Sequence, residues 1–182
     1  MQKAIGMIEL KTVAAGITVT DQMVKTADVE LVEAQAVCPG KYIALISGDL
    51  SAVKSAVEAA KKVRPEELID DFVLGNPDES IFPAIYGTVQ VDSIRALGIL
   101  ETYDASSIIV AADVAAKTAV VHLIELRIAK GMCGKSYLLL TGEVAACEAA
   151  IATAKEAIKN TGMFLDASVI AHPDAQLCRA IM

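Results

Sequence analysis

The four cysteines are the side chains of this 182-residue sequence best suited to chemistry. They are separated by 95, 14 and 31 residues, no two form a Cys-x-x-Cys pair, and they are Cys38, Cys133, Cys147 and Cys178. This spacing predicts neither a disulfide framework nor a zinc ribbon. We therefore expect reduced thiols or ligands of a cofactor, with Cys147 and Cys178 as small buried apolar residues.

The other reactive side chains predict no enzyme. A Gly-Lys-Ser sequence ends at Ser136, but Ala129 stands where a phosphate-binding loop needs its first Gly, and a strand-like run follows where a helix is required. Neither His122 nor His172 has a nucleophile beside it in the sequence. Glu9 lacks an acid-base partner and is interpreted as a structural hydrogen-bonding group.

Composition excludes further classes of function. The sequence has 16 Lys and Arg against 23 Asp and Glu, a formal net charge of −7, which argues against nucleic acid as a partner. Its longest uncharged run, residues 80–91, contains a Pro and falls short of the roughly 20 apolar residues of a membrane span. Glu9 and Lys11 interrupt the first apolar run, so we expect no secretory signal and a cytosolic protein.

An internal repeat sets the domain organisation. Residues 4–35 align with 96–127, and residues 40–61 align with 134–155, with 19 identical positions among 54. The late Pro77 aligns with Pro173. The sequence therefore predicts two copies of one unit of about 90 residues, each near the lower end of ordinary domain sizes.

The elements that must position the cysteines follow from the apolar periodicity of each copy. In the first copy we predict strands at 4–10, 29–37, 42–47 and 72–74 and helices around 13–27 and 52–60. The order β-α-β-β-α-β is that of a ferredoxin-like unit, so we expect an α/β (α+β) protein with domains at 1–91 and 92–182. Cys38 lies at the tip of the predicted hairpin, and the matching tip at 130–135 is two residues longer.

An ordered set of segments, present in both halves, resembles the bacterial microcompartment (BMC) shell domain. The set comprises Ala4-Ile-Gly-Met-Ile-Glu9, Ala96-Leu-Gly-Ile-Leu-Glu101, Asp21-x-Met-x-Lys-Thr-Ala27 and Val29-Glu-Leu-Val32. The resemblance covers nearly the whole chain, twice, in unpermuted order. It implies a tandem-domain shell protein of which three chains form a pseudohexameric tile. It further implies lateral contacts with other shell proteins, encapsulated redox enzymes as partners, and a place in the shell within the bacterial cytoplasm.

The same resemblance places the hairpin tips at the pore of the tile. The Cys-Pro-Gly-Lys tip is similar to that of iron-sulfur-bearing shell proteins of propanediol-utilisation compartments. Threefold symmetry would then present three Cys38 thiolates to one 4Fe-4S cluster per trimer, which relays electrons across the shell. Three thiolates would also suit zinc, and without a ligand Cys38 would line an open metabolite pore. The predicted pore-lining residues are Val37, Cys38, Pro39, Gly40, Met132 and Cys133; Cys133 either forms a second ring of thiols or folds away.

The resemblance also implies residues at the edge of the tile. Lys25 and Lys117 match the family's edge lysine, whereas Asn76 and His172 replace its edge arginine, which favours mixed sheets with other shell proteins. The alternative functions are a regulatory or metabolite-binding ferredoxin-like protein, which needs a charged ligand cleft, and an enzyme, which needs a convergent set of reactive groups. The sequence indicates neither feature.

Overall fold

The protein is described by a computed structural model that covers residues 4–181, so the outermost residues of the two predicted domains lie outside it. The chain divides into two compact units between Pro77 and Asp78. Each unit contains one four-stranded antiparallel sheet, and the predicted order β-α-β-β-α-β is confirmed in both repeats. Across residues 4–181, no helix combines the length and the apolar character that crossing a membrane requires.

The first unit contains six main elements: β1 Ala4–Leu10, α1 Val13–Thr26, β2 Val29–Val37, β3 Lys41–Gly48, α2 Leu50–Val63 and β4 Leu68–Gly75. Its sheet has the strand order β2-β3-β1-β4. A short 3-10 turn at Pro65–Glu67 leads into the last strand.

The second unit repeats this arrangement, and a short helix precedes its first strand. Its elements are α3 Ile81–Tyr86, β5 Ala96–Thr102, α4 Ala105–Thr118, β6 Val121–Arg127, β7 Ser136–Gly142, α5 Val144–Ile158, β8 Phe164–Ile170 and α6 Ala175–Ile181. The strand order of its sheet is β6-β7-β5-β8. A second 3-10 turn, Lys159–Thr161, follows α5.

The core of the first unit lies between the sheet and its two helices. The buried face of α2 carries Val53, Ala56, Val57 and Ala60, a spacing that places all four on one side of a helix. That side packs on β1 at Gly6, where a Cβ would come within 2.6 Å of Val53 Cγ1. A glycine at this position therefore sets how closely the helix approaches the sheet. In the second unit, a Cβ at Gly98 would come within 2.5 Å of Leu140 on β7 and within 3.1 Å of Ile151 on α5.

The helices α3 and α6, which follow the fourth strand of each repeat, were not predicted. α3 packs against β6 and α4, so residues 78–91 belong structurally to the second unit. From the sequence, residues 78–91 were predicted to belong to the first domain, because they follow its last strand. The tail of the first repeat thus covers a surface of the second, and α6 is the equivalent tail of the second repeat.

Candidate functional site

The predicted hairpin tip joins β2 to β3 at residues 38–40. Val37 pairs with Lys41 at its base, and the Gly40 amide donates to the Val37 carbonyl oxygen at 2.8 Å. Gly40 has a φ of +103°, a backbone conformation that is strained for residues with a side chain and therefore favours glycine. Crowding is not the reason for a glycine here, since no atom lies within 4 Å of a Cβ placed at this position. Cys38 is half-buried, and Pro39 and Gly40 are exposed. The tip is a short turn that leaves the Cys38 side chain partly accessible.

The base of this tip is held on both faces of the sheet, because consecutive strand residues point to opposite faces. On one face the Lys41 ammonium donates to Glu9 Oε1 at 2.6 Å, and the Glu9 side chain is only 4% exposed. On the other face Tyr42 is buried against α1 at Gly16, where a Cβ would lie 2.2 Å from Tyr42 Cγ. Glu9 is therefore a structural ion-pairing group, as its isolation in the sequence indicated.

The second tip, between β6 and β7, is longer and differently built. The Lys135 amide donates to the Met132 carbonyl oxygen at 3.1 Å. Ala129 and Cys133 adopt positive φ values of 52° and 55°, and Gly131 and Gly134 do so as well. Cys133 is exposed and Met132 is half-buried.

The residues that clamp the first tip have different counterparts in the second unit. Ser136 occupies the position of Tyr42 and is buried, and its Oγ accepts a hydrogen bond from the Ala129 amide at 3.0 Å. Ile108 occupies the position of Gly16 and is also buried. Within residues 4–181, no ion pair joins Glu101 to Lys135, the counterparts of Glu9 and Lys41. The two tips therefore differ in length and in how they are held.

A polar cluster on β6 and β7 was not predicted from the sequence. The Tyr137 hydroxyl donates to Glu125 Oε2 at 2.6 Å, and the Arg127 guanidinium donates to Glu125 Oε1 at 2.6 Å. Arg127 also lies over the Tyr137 ring, 5.4 Å from its centroid. Burial, followed by the hydrogen bond to Glu125, raises the pKa of Tyr137 to about 12. The phenol therefore stays protonated at neutral pH, and the cluster fixes neighbouring strands.

The remaining two cysteines lie on the helices α5 and α6. Cys147 is fully buried, and burial raises the pKa of its thiol. Cys178 is half-buried on α6, so the expectation that it is a buried core residue was wrong; the helix that carries it packs no residue into a core. Over the described part of the chain, no group of three or more His, Cys, Asp or Glu side chains could hold a metal ion.

The four residues predicted at a tile edge all lie at the surface, and their edge role stays a prediction. Lys25 pairs with Asp21 at 2.6 Å, and both side chains are more than half exposed. Lys117 pairs with Asp113 at 2.7 Å. Asn76 and His172 are exposed, and Asn76 has a φ of 54°.

Asp113 has a further contact that Asp21 lacks among residues 4–181. The Asp113 side chain is 8% exposed, whereas that of Asp21 is 56% exposed. Asp113 Oδ1 accepts a hydrogen bond at 2.8 Å from the backbone amide of Asp78, just before α3. Asp174 is the counterpart of Asp78 in the second repeat.

The tail helices α3 and α6 carry the same apolar pattern but differ in burial. α3 packs on β6 and α4 and has three buried apolar residues, each at most 7% exposed: Ile81, Ala84 and Ile85. In α6 no residue is buried, and Leu177 is 39% exposed. The counterparts of the α3 residues, 96 positions later, are Leu177, Ala180 and Ile181.

The helices α1 and α4 also differ in exposure at matching positions. Ala105 and Ile109 of α4 are 1% and 0% exposed. Their counterparts on α1, Val13 and Ile17, are 39% and 56% exposed. The first unit thus presents an apolar stripe on α1 that is covered in the second unit.

Comparison with known proteins gives one consistent result. The family model described as the BMC domain matches residues 4–77 and 96–173. The chain is 35% identical, over its whole length and 99% of the relative, to the bacterial microcompartment shell protein PduT of Citrobacter freundii. It is 32% identical over 102 residues, 52% of the chain and 98% of the relative, to the carboxysome shell protein CcmK2 of Synechocystis sp.. The crystal structure of a microcompartment protein from Desulfitobacterium hafniense DCB superimposes with a TM-score of 0.94 and 44% identity, covering 98% of this chain and 99% of that one.

Proposed function

Because the chain belongs to the BMC-domain family of microcompartment shell proteins, we propose that three copies form a pseudohexagonal tile whose central pore binds an iron-sulfur cluster through Cys38. The observation that carries the proposal is the accessible Cys38 thiol on a short, clamped hairpin tip. One chain supplies a single thiol at this tip, so a ligand set there has to come from several chains.

The trimer is supported by the unequal burial of the two tail helices. α3, the tail of the first repeat, lies on the second unit, whereas α6 exposes the same apolar pattern. The matching apolar stripe on α1 is exposed in the first unit. We propose that α6 of each chain docks on α1 and β2 of the next chain, as α3 docks on α4 and β6.

Polar groups match in the same register. Asp113 accepts the amide hydrogen of Asp78 next to α3. By the repeat, exposed Asp21 would accept the amide hydrogen of Asp174 from a neighbouring chain. A head-to-tail contact of this kind forms a closed ring when its rotation allows closure, and six equivalent domains require three chains.

The Cys38 thiol fits an iron-sulfur cluster only when several chains contribute their thiols to the same cluster. Thiolates are the usual ligands of such clusters, and three symmetry-related Cys38 side chains would supply three of the usual four. A bound 4Fe-4S cluster would supply one-electron transfer across the shell. The chain's own part is to hold Cys38 at the tip and to close its base through β2 and β3. The fourth ligand would be water, an anion or another donor.

The proposed partners are other shell proteins laterally and encapsulated redox enzymes on one side of the tile. Lys25 and Lys117 lie at the surface of their helices, where each pairs with the aspartate four residues earlier. Surface ion pairs contribute little to a domain's own stability, and both lysine side chains are exposed enough to contact a neighbour. Asn76 and His172 in place of arginine favour contacts with shell proteins of a different type. These residues are our candidates for the tile edge.

The deciding experiment is iron and sulfide analysis after anaerobic purification or reconstitution of the wild type, Cys38→Ser and Cys133→Ser. Light scattering should give three times the 19.1 kDa chain mass for all three. The wild type and Cys133→Ser should bind iron and sulfide, and Cys38→Ser should lose both. Iron retained by Cys38→Ser would refute the ligand assignment, and a wild type that never takes up iron would make the tip an open metabolite pore.

A further inference from the structure

The Cys38 tip is anchored by the ion pair between Glu9 and Lys41, which supplies no ligand to a cluster. We infer that Glu9 is a positioning residue for Cys38. It binds the Lys41 ammonium on one face of the sheet and thereby fixes the first residue of β3, which directly follows the tip. The consequence for iron rests on the proposed function, whereas the consequence for the order of the tip does not.

The geometry of the pair supports this role. Glu9 lies on β1 opposite Ile43 of β3, and Lys41, two residues before Ile43, therefore points to the same face. The Lys41 side chain is 27% exposed and the Glu9 side chain 4%, with 2.6 Å between Nζ and Oε1. A carboxylate this deeply buried needs a charged partner, so the pair holds Lys41 in one place. Only Cys38, Pro39 and Gly40 separate that fixed end from β2.

The rest of the tip base agrees with an anchored structure. Tyr42, next to Lys41, is fixed on the opposite face by its contact with Gly16 of α1. The tip is thus attached on both faces of the sheet within two consecutive residues. A ligand set assembled from three chains depends on such attachment, because each thiol has to be held within about 0.5 Å of its place before the ligand arrives.

The second unit supplies an internal comparison. Its tip is two residues longer, carries no Glu101–Lys135 ion pair within residues 4–181, and replaces the Tyr42–Gly16 contact by Ser136 and Ile108. Among the described residues, the Glu–Lys pair between the first and third strands of a repeat is therefore present only beside the tip that bears Cys38. This difference predicts that replacing Glu9 loosens the first tip, whereas replacing its counterpart Glu101 leaves the second tip unchanged.

The experiment measures hydrogen exchange of the Gly40 amide in the apo trimer, because this amide donates to Val37 across the tip. The variants are Glu9→Gln, the double variant Glu9→Gln/Lys41→Met, Lys41→Arg, and Glu101→Gln as the matched control. The double variant leaves no unpaired buried charge, so it should fold even where Glu9→Gln fails to fold.

We expect Gly40 exchange to be about tenfold faster in the double variant, because a released tip opens locally. The Lys135 amide of the second tip should be unaffected, Lys41→Arg should exchange like the wild type, and so should Glu101→Gln. With iron bound, removal by a chelator should be about tenfold faster in the double variant. Wild-type Gly40 exchange in a folded double variant would overturn the inference, as would equal acceleration in Glu101→Gln. Faster exchange in a protein whose wild type binds no iron would leave Glu9 as a positioning residue and refute the cofactor proposal alone.

Discussion

If the proposed trimer forms through α6, replacement of Leu177 by Asp should convert it to monomers without unfolding the chain. Full burial of a leucine side chain is worth about 1.5–3 kcal/mol. Because Leu177 is 39% exposed in the single chain, covering that remainder stabilises each contact by about 0.6–1.2 kcal/mol. A carboxylate in the same place adds a desolvation penalty of several kcal/mol per contact. Over three contacts the proposed trimer loses about 10 kcal/mol, which raises its dissociation constant roughly ten-millionfold.

The assay for this change is light scattering and sedimentation at micromolar concentration, with circular dichroism to follow the fold. The fold should survive because α6 packs no residue into either core. Leu50→Asp is the matched control, since Leu50 is 42% exposed on α2, away from the proposed contact. A Leu177→Asp protein that remains trimeric, or a Leu50→Asp protein that dissociates equally, would refute the docking of α6 on a neighbouring chain.

Three further predictions test other surfaces of the protein. Asp21→Ala should weaken the trimer by about 1–3 kcal/mol per contact, because the Asp174 amide of the next chain loses a charged acceptor; sedimentation would measure it. Lys25→Ala combined with Lys117→Ala should lower incorporation into mixed shells while leaving the trimer intact, as co-purification with shells would show; unchanged incorporation would contradict the edge role. The folded chain raises the pKa of Tyr137 from 10.0 to about 12, so stability present below pH 10 should fall as the pH rises towards 12. Urea unfolding of Tyr137→Phe should lack that fall.

Much of the fold could be predicted because the repeat tests each assignment twice. A strand or helix that is marginal in one copy is supported when the same periodicity returns 92–96 residues later, as with the turns at Pro77 and Pro173. The hairpin that carries Cys38 was predicted for the same reason, since β-type runs flank a Pro-Gly tip in the first half and a Gly-rich tip in the second.

The parts that were missed depend on contacts between residues distant in sequence. Glu9 and Lys41 are 32 residues apart and meet only because β1 and β3 are neighbours in the sheet. The fit of Tyr42 against Gly16 likewise follows from how α1 lies on β3. The helix α3 has six residues with a Pro inside it, too few for periodicity to identify, although the recurrence of its apolar spacing in α6 was a usable signal.

The placement of α3 on the second unit would change how assembly of the proposed ring depends on concentration. In the proposed ring of six domains, six tail-on-domain contacts have to form, and the three that lie within chains are already made. Assembly is then a three-body event whose yield at low concentration rises with the third power of the chain concentration, where six separate domains would require the sixth. The covalent link acts as a high effective concentration for half of the contacts. A tandem chain can therefore complete its ring at expression levels too low for a single-domain relative with equally strong contacts.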